Sequence, residues 1–198
     1  KISGTNFDSD HVHTILDAGI PFTSLQLQYS LLDRRPEKRM VALAKRHDIA
    51  LFCYGTVAGG FLSDRWLGKI EPEHPLENRS LTKYKLIIDD LGGWDLFQAL
   101  LQALRKIADR HATDIATIAS AAMLRRPGVS AVIVGARNRD HLSSNLAIAS
   151  VTLSDADLAE IDAALVGARE LMGDVYTLER DRTGRHGSIM KYNLNKGE

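Results

Sequence analysis

Cysteine is nearly missing from this 198-residue chain: Cys53 stands alone, inside an apolar run. One thiol excludes an internal disulfide and fits a reducing compartment, so a cytoplasmic location is expected. An excess of either charge is missing too. Lys plus Arg and Asp plus Glu number 25 each, which removes the electrostatic footprint of a nucleic-acid or anionic-membrane binder. No apolar run approaches the ~20 residues that span a bilayer. The opening Lys1-Ile2-Ser3-Gly4 lacks the basic-then-apolar layout of a secretory leader. An initiator Met is also absent, and Lys1 leads into what reads as a strand already under way, so further polypeptide upstream is expected. Among chemical signatures there is no tight carboxylate pair, no Gly-x-Ser-x-Gly elbow and no Cys-x-x-Cys. His11 and His13, two apart on a helix, diverge, and no metal site is expected.

What is present is an alternation of short apolar runs with amphipathic stretches. Asp8 or Ser9 caps a helix carrying Val12, Ile15 and Leu16 on one face, stopped by Gly19. In the segment Phe22 to Tyr29, Thr23, Leu25 and Leu27 alternate with Ser24, Gln26 and Gln28 at period two. Pro36 opens a helix running to about His47. Ile49 to Tyr54 is a continuous apolar run, the pattern of a strand covered on both faces. The rhythm then breaks. Gly55 to Gly60 is glycine-rich, and about thirty residues follow without firm periodicity, a length that marks a functional or disordered loop. Two apolar stripes come next, Trp94 to Ala108 and Ile115 to Met123, ended by Pro127-Gly128. Val129 to Val134 reads as a buried strand, 140–149 as a helix, and Ser154 caps a last helix through Leu165. Residues 167–198 are polar and irregular, either a flap over a substrate mouth or a solvated end.

Strand–helix alternation implies a parallel α/β sheet in a single region covering residues 1–198. Only four strands are visible. Four cannot close an eight-stranded barrel, and half a barrel leaves two raw edges. The pattern therefore leaves open a small doubly wound sheet or half of a barrel; against the former, no Gly-x-Gly-x-x-Gly turn follows a strand. In both architectures ligands bind at the C-terminal ends of strands. Those ends carry Thr5-Asn6, Gln26 to Ser30, Tyr54-Gly55-Thr56 and Gly135-Ala136-Arg137. Hydroxyls, amides, an aromatic ring, glycines and an arginine suit a carboxamide, a flat ring and phosphates.

These segments form a recognisable set. Gly4-Thr5-Asn6-Phe7 resembles the strand-five signature of aldo/keto reductases, and Gln26 to Arg34 resembles their strand-six segment. Tyr54-Gly55-Thr56-Val57-Ala58-Gly59-Gly60-Phe61-Leu62 resembles the strand-seven loop. Val132 to Arg137, with His141-Leu142 and Asn145-Leu146, resembles the strand-eight cofactor motif. The pieces keep family order and spacing across the chain.

The resemblance implies a (β/α)8 TIM barrel of which this chain supplies strands five to eight, in an oxidoreductase that uses NADP (NADPH) to reduce an aldehyde or ketone. It implies that Thr5, Asn6 and Gln26 hydrogen-bond the nicotinamide carboxamide and that Tyr54 stacks on the ring. Gly55, Thr56 and Leu62 match the loop that wraps the pyrophosphate. Gly135, Ala136 and Arg137 match the region at the adenosine 2′-phosphate, and Ser144 and Asn145 the adenine contacts. A guanidinium fork suits a phosphate, which favours NADP over NAD. Thr5 stands where serine is commoner, and Ser144 where Glu or Gln often stands.

The resemblance also implies an absence. The family's proton-donating tyrosine, with its aspartate, lysine and histidine partners, belongs to the first four strands, and nothing here matches that region. No catalytic residue is therefore assigned to this chain, and the missing N-terminal half of the barrel is its expected partner, beside a small carbonyl substrate. Without that half, the chain reads instead as a non-catalytic NADP-binding half-barrel or a partner-binding module acting in an assembly.

Overall fold

The computed structural model describes residues 1–136, 139 and 141–190. Four parallel strands, β1 (Ile2–Thr5), β2 (Phe22–Gln28), β3 (Ala50–Tyr54) and β4 (Val129–Ile133), lie side by side in sequence order. That order is the arc of a barrel wall, since each crossover places the next strand on the same side. A doubly wound sheet would reverse direction partway.

Eight helices among the described residues link and cover the strands: α1 (Ser9–Asp17), α2 (Met40–Arg46), α3 (Arg79–Leu91), α4 (Trp94–Arg110), α5 (Ile115–Leu124), α6 (His141–Ala147), α7 (Asp155–Ala164) and α8 (Thr177–Arg180). Their starts follow from caps. Asp8 accepts from the His11 amide at 2.9 Å, Asn78 from Leu81 at 3.0 Å and Asp114 from Thr117 at 2.7 Å. Ser154 and Asp157 form a reciprocal capping box on α7. Pro36 sits in a short 3-10 turn, Arg35–Glu37, and α2 begins only at Met40, because Arg39 departs from helical geometry.

Burial in the sheet alternates. Leu25, Leu27, Leu51 and Cys53 are fully buried beneath the helices, whereas Ser24, Gln26, Ala50, Phe52 and Tyr54 on the other face are only half-buried. The expectation that β3 is covered on both faces is thus corrected: helices bury one face, and the other is only partly covered, with α3 and the C-terminal segment reaching over Tyr54 at the strand tip. β4 is likewise not the buried strand its apolar run suggests, with Ile133 and Val134 exposed. Both long apolar stripes are borne out. Trp94, Phe97, Leu100, Leu101, Leu104 and Ile107 are all buried along α4, each contributing ~1.5–3 kcal/mol if counted as a fully covered large side chain. Phe61 and Trp66 join Trp94 and Phe97 in one aromatic cluster, with ring centroids 4.8 to 6.1 Å apart.

One region departs from the sequence reading, and the tail, left there as a flap or a solvated end, takes a definite place. The stretch after Gly60 contains α3, whose Leu81, Tyr84, Ile87, Ile88 and Leu91 are buried. The C-terminal segment through Met190 packs back on the barrel wall, with Val175, Glu179 and His186 buried.

Candidate cofactor-binding site

The strand register gathers the site. Thr5 pairs with Gln26, and Gln28 with Tyr54 and onward to Ile133, so these tips share one rim. Asn6 follows β1 in left-handed geometry, φ 58°, which asparagine tolerates better than most side chains. Its amide N–H donates to Gln26 O at 2.9 Å, and its side-chain Oδ1 accepts from the Tyr54 hydroxyl at 2.7 Å. That bond locks the Tyr54 ring at the mouth and leaves the Asn6 amide nitrogen for a ligand. Burial, with the neighbouring Tyr84, pushes the Tyr54 phenol up, so it stays protonated. Thr5 is exposed and Gln26 half-buried on the same open face.

Gln28 belongs to the rim as well. Its Nε2 donates to Asp33 Oδ2 at 2.6 Å, while Oε1 is buried without a partner among the described residues. Asp33 is held in turn by Arg35, at 2.8 Å to Oδ1 and 2.7 Å to Oδ2. Arg35 also grips both Glu179 oxygens, at 2.9 and 3.0 Å. All three side chains are at most 1% exposed. Burial alone would raise the Asp33 carboxyl, but the Arg35 guanidinium and the Gln28 amide outweigh it and hold it below the usual carboxylate range. This set ties the C-terminal segment to the β2 tip. Tyr176, just before α8, then lines a groove with Thr5, Asn6, Arg180 and Arg182, and Arg180 bonds Asp8 and the Asn6 carbonyl.

The loop after Tyr54 needs its glycines. Gly55 sits at φ 76°, and a Cβ there would stand 2.2 Å from the Tyr84 hydroxyl; at Gly59 (φ 66°) it would stand 2.9 Å from Ser80 Oγ. Backbone thus passes against the first turns of α3 where a side chain would not fit. Thr56 and Leu62 are turned into the core, the Thr56 hydroxyl 2.9 Å from that of Ser120. Only their backbone is available to a ligand.

At the β4 end, Gly135 and Ala136 are exposed. Asn145 Nδ2 donates to Gly135 O at 3.2 Å, and Thr117 Oγ1 to Ser144 O at 3.3 Å. Val57, Ser120, Val134, Ser144 and Asn145 share a crevice linking this end to the glycine-rich loop. Arg137 lies outside the described residues. The rim therefore runs from Asn6 and Tyr54 through the loop to Ser144 and Asn145. Its orphaned Gln28 acceptor, locked ring and glycine cradle suit a nicotinamide dinucleotide.

Sequence reading missed a third group. Arg79, Ser80 and Lys83 of α3 line a cavity of about 260 Å³ with Tyr84, Ile189 and Met190. The signal available was α3 itself, since Leu81, Tyr84, Ile88 and Leu91 keep helical spacing. His11, paired with Asp8 at 2.6 Å, is exposed and His13 half-buried, and no group of three metal-binding side chains occurs among the described residues. None of the described helices is long and apolar enough to cross a membrane.

Comparison with known proteins bears on the fold and the family. The chain is 29% identical over 143 residues to Protein tas of Escherichia coli, covering 71% of this chain and 39% of that one. It is 25% identical over 159 residues to the NADH-specific methylglyoxal reductase of the same organism, covering 79% and 45%. Flagellar radial spoke protein 5 of Chlamydomonas reinhardtii is 30% identical over 125 residues, 60% of this chain and 24% of that protein. The chain spans less than half the length of these relatives. Among solved structures, the glycerol dehydrogenase AKR11B4 of Gluconobacter oxydans superposes with a TM-score of 0.68 at 20% identity, over 86% of this chain and 50% of that one, which fixes the barrel fold. The profile described as the aldo/keto reductase family matches residues 1–166, and the chain belongs to that family.

Proposed function

We propose that the protein containing this chain reduces an aldehyde or ketone with NADPH in the cytoplasm, and that this chain forms the cofactor-holding half of its barrel. The observation that carries the reading is the Tyr54–Asn6 hydrogen bond at the rim, continuous with the glycine-rich loop. When bound, the dinucleotide supplies a hydride. This chain's residues do the rest of the holding. Tyr54 offers a fixed ring face, Asn6 and Gln26 offer amides to a carboxamide, and the loop backbone offers N–H groups to a diphosphate. Arg137, four residues beyond β4 in the sequence, is of a residue type that suits the 2′-phosphate.

A carbonyl that accepts hydride becomes an alkoxide and needs a proton. The Tyr54 phenol is committed to Asn6 and held protonated by burial, so the donor is assigned to the strands that complete the barrel. Those strands would pair with the free edges of β1 and β4 and enclose the half-buried face of Ser24, Gln26, Phe52 and Tyr54. Carbonyl-dependent NADPH oxidation by the intact protein is the test. No turnover across aldehydes and ketones, together with no NADPH binding, would overturn the reading. Arg137→Ala is expected to erase a preference of ~10-fold or more for NADPH over NADH; retention of the preference would remove Arg137 from that role.

The open face and the two strand edges, β1 and β4, support a second reading, a non-catalytic half-barrel that binds NADP or a partner. Turnover by residues 1–198 alone, well above background, would reject it.

A further inference from the structure

Lys83 is an ammonium without an oxygen. Its Nζ stands 5.6 Å from the Tyr54 ring centre, 5.4 Å from that of Tyr84 and 5.7 Å from that of Tyr176. Among the described residues it has no hydrogen-bond acceptor. Two residues along the same helix, Lys85 is gripped by Glu71 and Asp89, each at 2.5 Å. The acids that influence Lys83 are Glu179 and Asp33, and their oxygens are taken by Arg35 and Gln28. The Asp33–Arg35–Glu179 set carries one net negative charge. It supports the ammonium from a distance while offering it no atom to bind.

Arg79 sits one turn away on the same cavity wall, also without a partner among the described residues. The lining holds two cations, the Ser80 and Tyr84 hydroxyls and two apolar side chains, and no carboxylate. Most other arginines described here are paired with acids. A desolvated cation facing rings gains part of its lost hydration from their faces, but three N–H donors remain unused, a cost that a bound anion would remove. The position is as informative as the charge: an anion on Nζ holds the rest of its molecule beside the Tyr54 ring, where the nicotinamide is placed above.

We propose that Lys83, with Arg79 behind it, anchors a carboxylate or phosphate carried by the carbonyl substrate, so that the protein selects anionic aldehydes or ketones. This rests on the carbonyl-reductase reading. No bond changes at Lys83. The ammonium donates to the anion, and the reacting carbonyl lies at the other end of the substrate.

The test compares 4-carboxybenzaldehyde with benzaldehyde in the intact protein and its K83M and K83R variants, with NADPH affinity measured separately by fluorescence titration. K83M is expected to lower kcat/KM for the carboxylated aldehyde by about 10- to 100-fold, chiefly through KM, with benzaldehyde turnover and NADPH affinity unchanged. K83R is expected to restore most of the loss. Equal effects on both aldehydes, or none, overturn the proposal. So does weakened NADPH binding with unchanged aldehyde preference, which would give the cation to the dinucleotide's phosphates. If the protein neither reduces aldehydes nor binds NADPH, the reductase reading itself has failed. The anion site is then judged by titrating benzoate against protein carrying ¹³C-labelled lysine: shifts at Lys83 that vanish in K83M uphold the anchor, and their absence overturns it.

Discussion

The two ends of the rim are built differently. At the β1–β2 end, Tyr54 is bonded to Asn6, Arg180 to the Asn6 carbonyl, and a fully buried Asp33–Arg35–Glu179 set pins the C-terminal segment. At the β4 end, α6 has no buried residue, Ile133 and Val134 are exposed, and side-chain ties are few and long. One end is assembled before any ligand arrives. The other is loosely tied, although both strand edges, β1 and β4, are free for the barrel to continue. Under the proposed reductase reading, such a site would fix the nicotinamide ring first and leave the far end of the dinucleotide to complete its own seat.

The largest test of that contrast is Arg35→Met, which strands two buried carboxylates and is expected to cost about 3–5 kcal/mol in urea unfolding. A loss below ~1 kcal/mol would mean that the tail is not pinned by charge. The same set predicts an acid limb. Because the Asp33 pKa is lowered on folding, its contribution is present above the ordinary value of about 3.9 and vanishes as pH falls through the lower, folded value. Stability should hold from neutral pH to about 5 and drop below about 4; a drop beginning near pH 6 would contradict the assignment. Midway along the rim, Thr56→Val strands the buried Ser120 hydroxyl and should cost about 1–3 kcal/mol by thermal melt or urea. Tyr54→Phe keeps the ring but releases Asn6, and about 1 kcal/mol of stability should go with it, visible as faster hydrogen exchange at the β1 tip. Asn145→Ala, at the open end, should fall within ~0.5 kcal/mol of the parent protein. A larger loss there would erase the distinction between the ends.

Much of this was legible in the residues. Strand tips bearing Asn6, Gln26, Tyr54 and Gly135 announced themselves through alternation with capped helices, and the glycine-rich loop stood out by composition. Thr56 and Leu62 were legible as loop members but not as core, because a strand-tip position does not reveal which way a side chain turns. Helix α3 was hidden. Lys85 occupies a buried position in its stripe, tolerable only because Glu71 and Asp89 neutralise it. Arg35 and Glu179 lie 144 residues apart, and a pairing set by tertiary packing leaves no local period. Lys83 was invisible for the same reason. Its meaning comes from three tyrosines contributed by β3, α3 and the C-terminal segment.

The aromatic cluster beneath the glycine-rich loop gives the protein its own optical gauge. The chain's two tryptophans, Trp66 and Trp94, both belong to it, each touching Phe61, and Phe61 closes the loop that starts at Gly55. Indole emission overlaps the absorption of a reduced nicotinamide, so under the proposed reading a dinucleotide seated on that loop would dim both lamps at once. Occupancy would then be followed by light alone, without turnover and without a label.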